Sequence, residues 1–180
     1  MSQYNKIIFT GPVGAGKTTA IASLSDIPPV STDAAASDMT KERKASTTVA
    51  LDYGVMNLPG GEKIHLYGTP GQERFDFMWD ILTTGGIGLI LLLDNTRADP
   101  FQDVKFFTSK FRDFIESTSL VVGVTQMDLS PKPVLEEYHK QFELLGLKPP
   151  IFEVDGRVRA DISILVQALL YAIDPVLEEQ

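Results

Sequence analysis

Eight consecutive residues, Gly11-Pro12-Val13-Gly14-Ala15-Gly16-Lys17-Thr18, carry the densest chemistry in this sequence. Their spacing is G-x-x-x-x-G-K-T, which gathers backbone amides, an ammonium group and a hydroxyl around one anion. Gly11, Gly14 and Gly16 let the amides of the loop turn toward a common centre, with Val13, Ala15 and Thr19 completing the phosphate-binding set. Lys17 brings a cation to the outer phosphates, where it is also a candidate catalytic group, and Thr18 brings a hydroxyl to Mg²⁺. The motif lies between a strand-like run, Lys6 to Thr10, and a helix-like run, Thr18 to Leu24, whose start adds the positive end of its dipole. A Gly-rich turn that merely precedes a lysine needs no such context. The stretch therefore reads as the cradle of a nucleoside triphosphate, and it is silent about the base.

Apolar runs and helix-like stretches alternate along nearly the whole chain, which is the pattern of a parallel sheet covered by helices on both faces. Strands are expected over 4–10, 49–58, 63–67, 87–94, 120–125 and 150–154. Helices are expected over 17–24, 103–115, 134–145 and 162–173. Pro59-Gly60-Gly61 reads as a hairpin, so one strand runs antiparallel to the rest. Ile87 to Asp94 shows no alternation and reads as a strand buried on both faces. Val104, Phe107, Phe111 and Phe114 fall at helical spacing and read as core. Ser25 to Ser46 has no clear period and reads as a long functional loop. The expected fold is an α/β P-loop NTPase, a doubly wound six-stranded sheet in one domain over residues 1–180.

In such a sheet, ligands sit at the carboxyl ends of the strands. Three further polar turns fall there: Gly68-Thr69-Pro70-Gly71-Gln72-Glu73-Arg74, Thr125-Gln126-Met127-Asp128 and Asp155-Gly156-Arg157. With the phosphate loop, and in this order, they make the chain resemble a small GTPase of the Ras and Arf superfamily. The signatures of that superfamily are the phosphate loop, a switch-one Thr, D-x-x-G-Q, N-K-x-D and S-A-K. The resemblance implies a guanine site built from Thr125, Gln126, Asp128, Asp155, Gly156 and Arg157. An acid at Asp128 accepts hydrogen bonds from the ring imino and exocyclic amino groups of guanine, whereas adenine presents it a bare acceptor. Two bonds to a charged group are worth about 3 to 6 kcal/mol, a preference of about a hundred- to ten-thousand-fold for GTP over ATP.

The same resemblance gives Gln72 the task of orienting the attacking water and Gly71 an amide that meets the γ-phosphate. Thr48, with Thr47 as the neighbouring alternative, is expected to be the γ-phosphate sensor and second metal-side hydroxyl after Thr18. Arg43 lies where a cation could reach the transition state in cis. Two positions depart from the pattern. The acid that holds Mg²⁺ through water falls on Gly68, leaving Asp33, Asp38 or Asp94 as candidates to reach in. Val13 stands where Ras proteins carry Gly, so its methyls obstruct a partner's arginine finger and hydrolysis is expected to be slow. The nearest subgroup is the bacterial and archaeal Ras-like GTPases related to the gliding-motility polarity protein, which implies GTP/GDP as ligands, effectors, a GTPase-activating partner and Roadblock-type partners.

Composition narrows the remaining classes. A net charge of −8 and the lack of a Lys/Arg run argue against a nucleic-acid or anionic-membrane surface. Without cysteine there are no disulfides, thiolate metal sites or thiol catalysis. His65 and His139 are isolated and read as structural or solvated. No apolar run is long enough to span a bilayer and no lipidation signal is present, so a cytoplasmic protein is expected. The alternatives are a P-loop nucleotide or small-molecule kinase and a GTP-binding scaffold that barely hydrolyses. The first calls for an arginine-rich lid, and the stretch between the last two strands has no arginine.

Overall fold

The computed structural model describes residues 5–31, 52–70 and 77–173. In chain order the elements are β1 (Asn5–Thr10), α1 (Lys17–Leu24), β2 (Val30–Ser31), β3 (Asp52–Asn57), β4 (Lys63–Gly68), α2 (Phe77–Thr83) and β5 (Gly88–Asp94), followed by α3 (Pro100–Lys110), α4 (Arg112–Ser117), β6 (Leu120–Thr125), α5 (Leu135–Leu144), β7 (Ile151–Glu153) and α6 (Arg159–Ile173). The sheet order is β2-β3-β4-β1-β5-β6-β7. β1 pairs in parallel with β4 and β5, and β6 in parallel with β5 and β7. β3 runs antiparallel to both of its neighbours. The expected six strands are present, and β2 adds a two-residue edge strand inside the stretch read as loop.

Alternation of side chains along the strands divides the interior in two. Ile7, Phe9, Ile90, Leu92 and Val121 point to the face covered by α1 and α6, where Ile21, Leu24, Leu165 and Leu169 meet them. Ile8, Leu89, Leu91, Leu93, Val122 and Val124 point to the other face, against Val104, Phe107, Tyr138 and Phe142. Every residue of β5 and β6 is buried, which is why neither sequence run alternates.

Two helices differ from the sequence reading. The aromatic stripe belongs to two helices, because the chain turns at Phe111 (φ −103°, ψ 17°) between α3 and α4. Asp99 accepts from Gln102 N and Pro100 occupies the first turn, so α3 starts earlier than its apolar period. The unforeseen α2 carries Trp79, which stacks on Phe107 and Phe111 at centroid distances of 5.7 and 4.9 Å. A seven-residue helix is too short to show an amphipathic period, and this tertiary stack is what holds it.

After β1 the chain passes to the β3–β4 flank, and after β4 it crosses β1 to reach β5. The order thus reverses beside the carboxyl end of β1, opening a crevice there. Residues 11 to 18 begin at that point.

Candidate nucleotide-binding site

The phosphate loop leaves β1 in a conformation that glycine permits. Gly11, Gly14 and Gly16 have φ of 147°, 88° and 100°, and a Cβ on Gly11 would lie 2.1 Å from the Leu92 carbonyl oxygen. Ala15 N donates to Pro12 O at 3.2 Å, and Gly16 in the left-handed region caps α1. Lys17 Nζ, almost wholly buried, donates to Gly11 O at 2.7 Å and Pro12 O at 2.9 Å. Burial pulls its ammonium down to about 8, partly offset by the nearby carboxylate of Asp52. Val13, within the loop, is exposed.

The base-side residues, dispersed in sequence, converge on one pocket of about 340 Å³. Ala15, Gly16 and Thr19 form the wall it shares with the phosphate loop, and Thr125, Gln126, Asp128, Asp155, Gly156 and Arg157, with the apolar Leu129 and Val154, form the rest. All six residues expected around guanine therefore stand together. A Cβ on Gly156 would come 3.4 Å from Gly16 O, so the turn after β7 closes directly onto the start of α1. Asp155 N is held by Asp161 Oδ2 at 2.9 Å. At the rim, Arg157 donates Nε and Nη2 to the two oxygens of Asp155 at 3.0 and 2.8 Å. That fork holds the Asp155 carboxyl down near 2 and raises the guanidinium, to which Asp128 also contributes.

Thr125 and Gln126 fill the places where the Ras pattern has Asn-Lys, and both reach the phosphate loop. Thr125 Oγ1, buried, lies 3.0 Å from Ala15 O and 3.2 Å from Leu93 O and donates its proton between them. Gln126 Nε2 donates to Gly14 O at 3.2 Å. Gln126 has φ 62°, a strained value for a side chain with a Cβ, and its carbonyl accepts from Leu129 N and Ser130 N. These contacts tie the base pocket to the phosphate cradle across more than a hundred residues of sequence.

The metal side differs more. Gly68 ends β4 directly opposite Asp52 in the antiparallel register. Thr18 Oγ1 donates to Asp52 Oδ2 at 2.7 Å. A Cβ on Gly68 would meet Asp52 Cβ at 3.1 Å and Asp52 Oδ2 at 3.2 Å. Asp94 accepts through Oδ1 from Thr96 N and Thr96 Oγ1 at 2.8 and 2.6 Å, and its Oδ2 would lie 3.9 Å from a Cβ on Gly14 of the phosphate loop. Beside Gly68, Thr69 shares a 2.7 Å hydrogen bond with Thr10 and donates its N to Phe9 O, fixing the exit of β4 against β1. Among the described residues no group of three or more His, Cys, Asp or Glu forms a self-sufficient metal site. The donor set suits Mg²⁺, an oxygen-seeking ion held by one or two carboxylates and phosphate oxygens. Asp33, Asp38, Arg43, Thr47, Thr48, Gly71 and Gln72 lie outside the described residues. No motif marks Asp52 in the sequence; what sets it apart is its register against Gly68 and its bond to Thr18. Of the two histidines, His65 Nδ1 shares a 2.8 Å hydrogen bond with Tyr53 Oη.

A phosphate loop at the reversal point of a doubly wound sheet, joined to a base-sized pocket, defines a P-loop nucleotide-binding protein of GTPase-like build. The family of conserved hypothetical ATP-binding proteins matches residues 9–148, and the chain belongs to it. The chain is 31% identical over 108 residues to an uncharacterized protein of Methanocaldococcus jannaschii, covering 58% of this chain and 62% of that one. It is 31% identical over 94 residues to the Ras-related protein RABA6a of Arabidopsis thaliana, covering 50% and 40%. Similarity to the Ras-related protein Rab-27A of Sus scrofa is 25% over 182 residues, covering 92% and 76%. The chain thus spans 62% and 40% of the first two relatives. Among solved structures, a bacterial selenocysteine-specific elongation factor, EF-Sec, shares the fold with a TM-score of 0.63 at 20% identity, over 96% of this chain and 29% of that one.

Proposed function

We propose that the chain is a guanine-nucleotide switch, one G domain over residues 1–180 that binds GTP and GDP with Mg²⁺ and hydrolyses GTP slowly. The observation that carries this reading is the position of Asp128 on the same pocket as Ala15, Gly16 and Thr19. A base whose ring N–H and exocyclic amine face that carboxylate has its phosphates directed along the loop toward Lys17. Adenine offers neither donor at those positions. The resemblance to Ras-related proteins supports the same base, while the matched family is described as ATP-binding.

Within this reading Gln72 orients the attacking water, the Gly71 amide meets the γ-phosphate, Thr48 or Thr47 senses it, and Arg43 supplies a cis cation. When bound, Mg²⁺ neutralises the charge that develops between the outer phosphates. Exposed Val13 stands in the path of a partner's arginine, which supports a slow rate. The same feature favours a second reading, a GTP-binding scaffold with negligible hydrolysis. By resemblance to the gliding-motility group, the switch works in the cytoplasm with effectors, a GTPase-activating partner and Roadblock-type partners. No helix among the described residues is long and apolar enough to cross a membrane.

The test is to identify the nucleotide that copurifies with the protein and to compete GTP against ATP. Copurified GDP or GTP and a preference of a hundred-fold or more for GTP are expected. Equal affinities overturn the guanine reading. Single-turnover hydrolysis separates a slow switch from a scaffold, with Gln72→Ala expected to lower the rate and leave GTP affinity unchanged.

A further inference from the structure

Gly68 and Asp52 are a cross-strand pair, so a side chain at either position points to the same face of the sheet. The space where an acid on Gly68 would begin is crowded by Ile21 Cδ1 at 3.0 Å and by Asp52, with Cβ 3.1 Å and Oδ2 3.2 Å from the missing Cβ. The carboxylate then turns to the hydroxyl of Thr18, 2.7 Å away. It is the one carboxylate among the described residues that does so, and Thr18 is the loop hydroxyl assigned to the cation. We propose that Asp52 is the acidic anchor of the nucleotide's divalent cation, transferred from the end of β4 to the start of β3 and acting beside Thr18.

Electrostatics supports the assignment independently of the loop motif. A carboxylate facing a triphosphate repels it, and the ammonium of Lys17, which feels Asp52, brings a single positive charge against both. A divalent ion between the two anionic groups converts that repulsion into attraction. A structural latch would need no charge, since a neutral amide oxygen accepts from Thr18 equally well. That difference makes the inference testable.

The inference rests on the site binding a nucleotide with Mg²⁺, and the experiment separates the two claims. Dissociation of a fluorescent GDP analogue is followed in excess Mg²⁺ and in EDTA, and Mn²⁺ affinity of the GDP-loaded protein is measured by electron paramagnetic resonance. The wild type is expected to release nucleotide at least tenfold faster in EDTA. Asp52→Asn keeps the Thr18 hydrogen bond, so it should release nucleotide in EDTA at the wild-type rate, lose most of the Mg²⁺ effect and bind Mn²⁺ at least tenfold more weakly. Transferring the acid back, Asp52→Gly with Gly68→Asp, should restore Mg²⁺ dependence, because it removes the Asp52 atoms from the place and leaves only the flexible end of Ile21 to give way. Wild-type Mg²⁺ dependence that Asp52→Asn fully retains overturns the transfer and leaves the nucleotide reading intact. A wild type that binds no nucleotide, or binds it without regard to Mg²⁺, overturns both. If Asp52→Asn does not fold, the Mn²⁺ position in the nucleotide-bound wild type decides. An ion within direct or one-water reach of Asp52 supports the proposal and one beyond that reach overturns it.

Discussion

The two ends of the site depart from the Ras pattern in opposite ways. At the base end, Thr125 and Gln126 stand in the very positions of the residues they replace and bond to the phosphate loop through different side-chain groups. At the metal end, Gly68 has no side chain, and the carboxylate arrives from the neighbouring strand. In the loop after β6 the residues at hand still reach the backbone of the phosphate loop, at Ala15 O and Gly14 O. At the paired positions 52 and 68, Ile21 and Asp52 crowd the place of a second side chain, so an acid on one strand stands in for an acid on the other.

The largest effect should come from the base itself. Exchanging Asp128 for Asn replaces an acceptor by a donor, so GTP affinity should fall by about a hundred-fold or more while affinity for a xanthine nucleotide rises. Competition binding reads this directly. Retained GTP affinity would mean that the pocket beside Ala15 and Thr19 does not read the base through that carboxylate.

Next comes the cation shared by both ends. Lys17→Ala should weaken binding of any nucleoside triphosphate by about ten- to a hundred-fold, the scale of a charged hydrogen bond of about 1.5 to 3 kcal/mol. The effect should be equal for GTP and ATP, unlike that of Asp128→Asn. A change in base preference would show that the two ends are coupled.

A matched pair of threonine substitutions sharpens the contrast. Thr125→Val removes the buried hydroxyl shared by Ala15 O and Leu93 O and should cost about 1 to 3 kcal/mol of stability in a denaturant melt. Thr18→Val removes an exposed hydroxyl and should change stability by less than about 0.5 kcal/mol, yet abolish the Mg²⁺ effect on nucleotide release. If both variants lose stability equally, the Thr18 hydroxyl is structural and the two ends are alike.

The smallest change belongs to the rim. Arg157→Ala breaks a fork between two solvent-exposed groups, so guanine nucleotide affinity should fall by no more than about threefold. Removing the guanidinium also lets the Asp155 carboxyl return upward from about 2 toward the usual carboxylate range, which a ¹³C NMR titration of the side chain would follow.

The phosphate loop, the strand ends and the buried runs of β5 and β6 were legible in the chain because each is a local matter. Glycine conformations, a Lys-Thr pair and the absence of alternation are written in consecutive residues. The single antiparallel strand was equally plain from Pro59-Gly60-Gly61. The break at Phe111 was hidden, since two short helices continue one apolar stripe across it. The helix carrying Trp79 was hidden for a related reason, being held by a stack on aromatic rings nearly thirty residues away. Asp52 was out of reach altogether. Gly68 showed in the sequence that an acid was missing, but only strand register can bring residue 52 opposite residue 68 and set a carboxylate 2.7 Å from Thr18. Residue types decide which groups exist and what the adjacent backbone does. Which distant groups share one face is decided by pairing and packing, because a shift of one residue in an antiparallel register turns every side chain to the other side of the sheet.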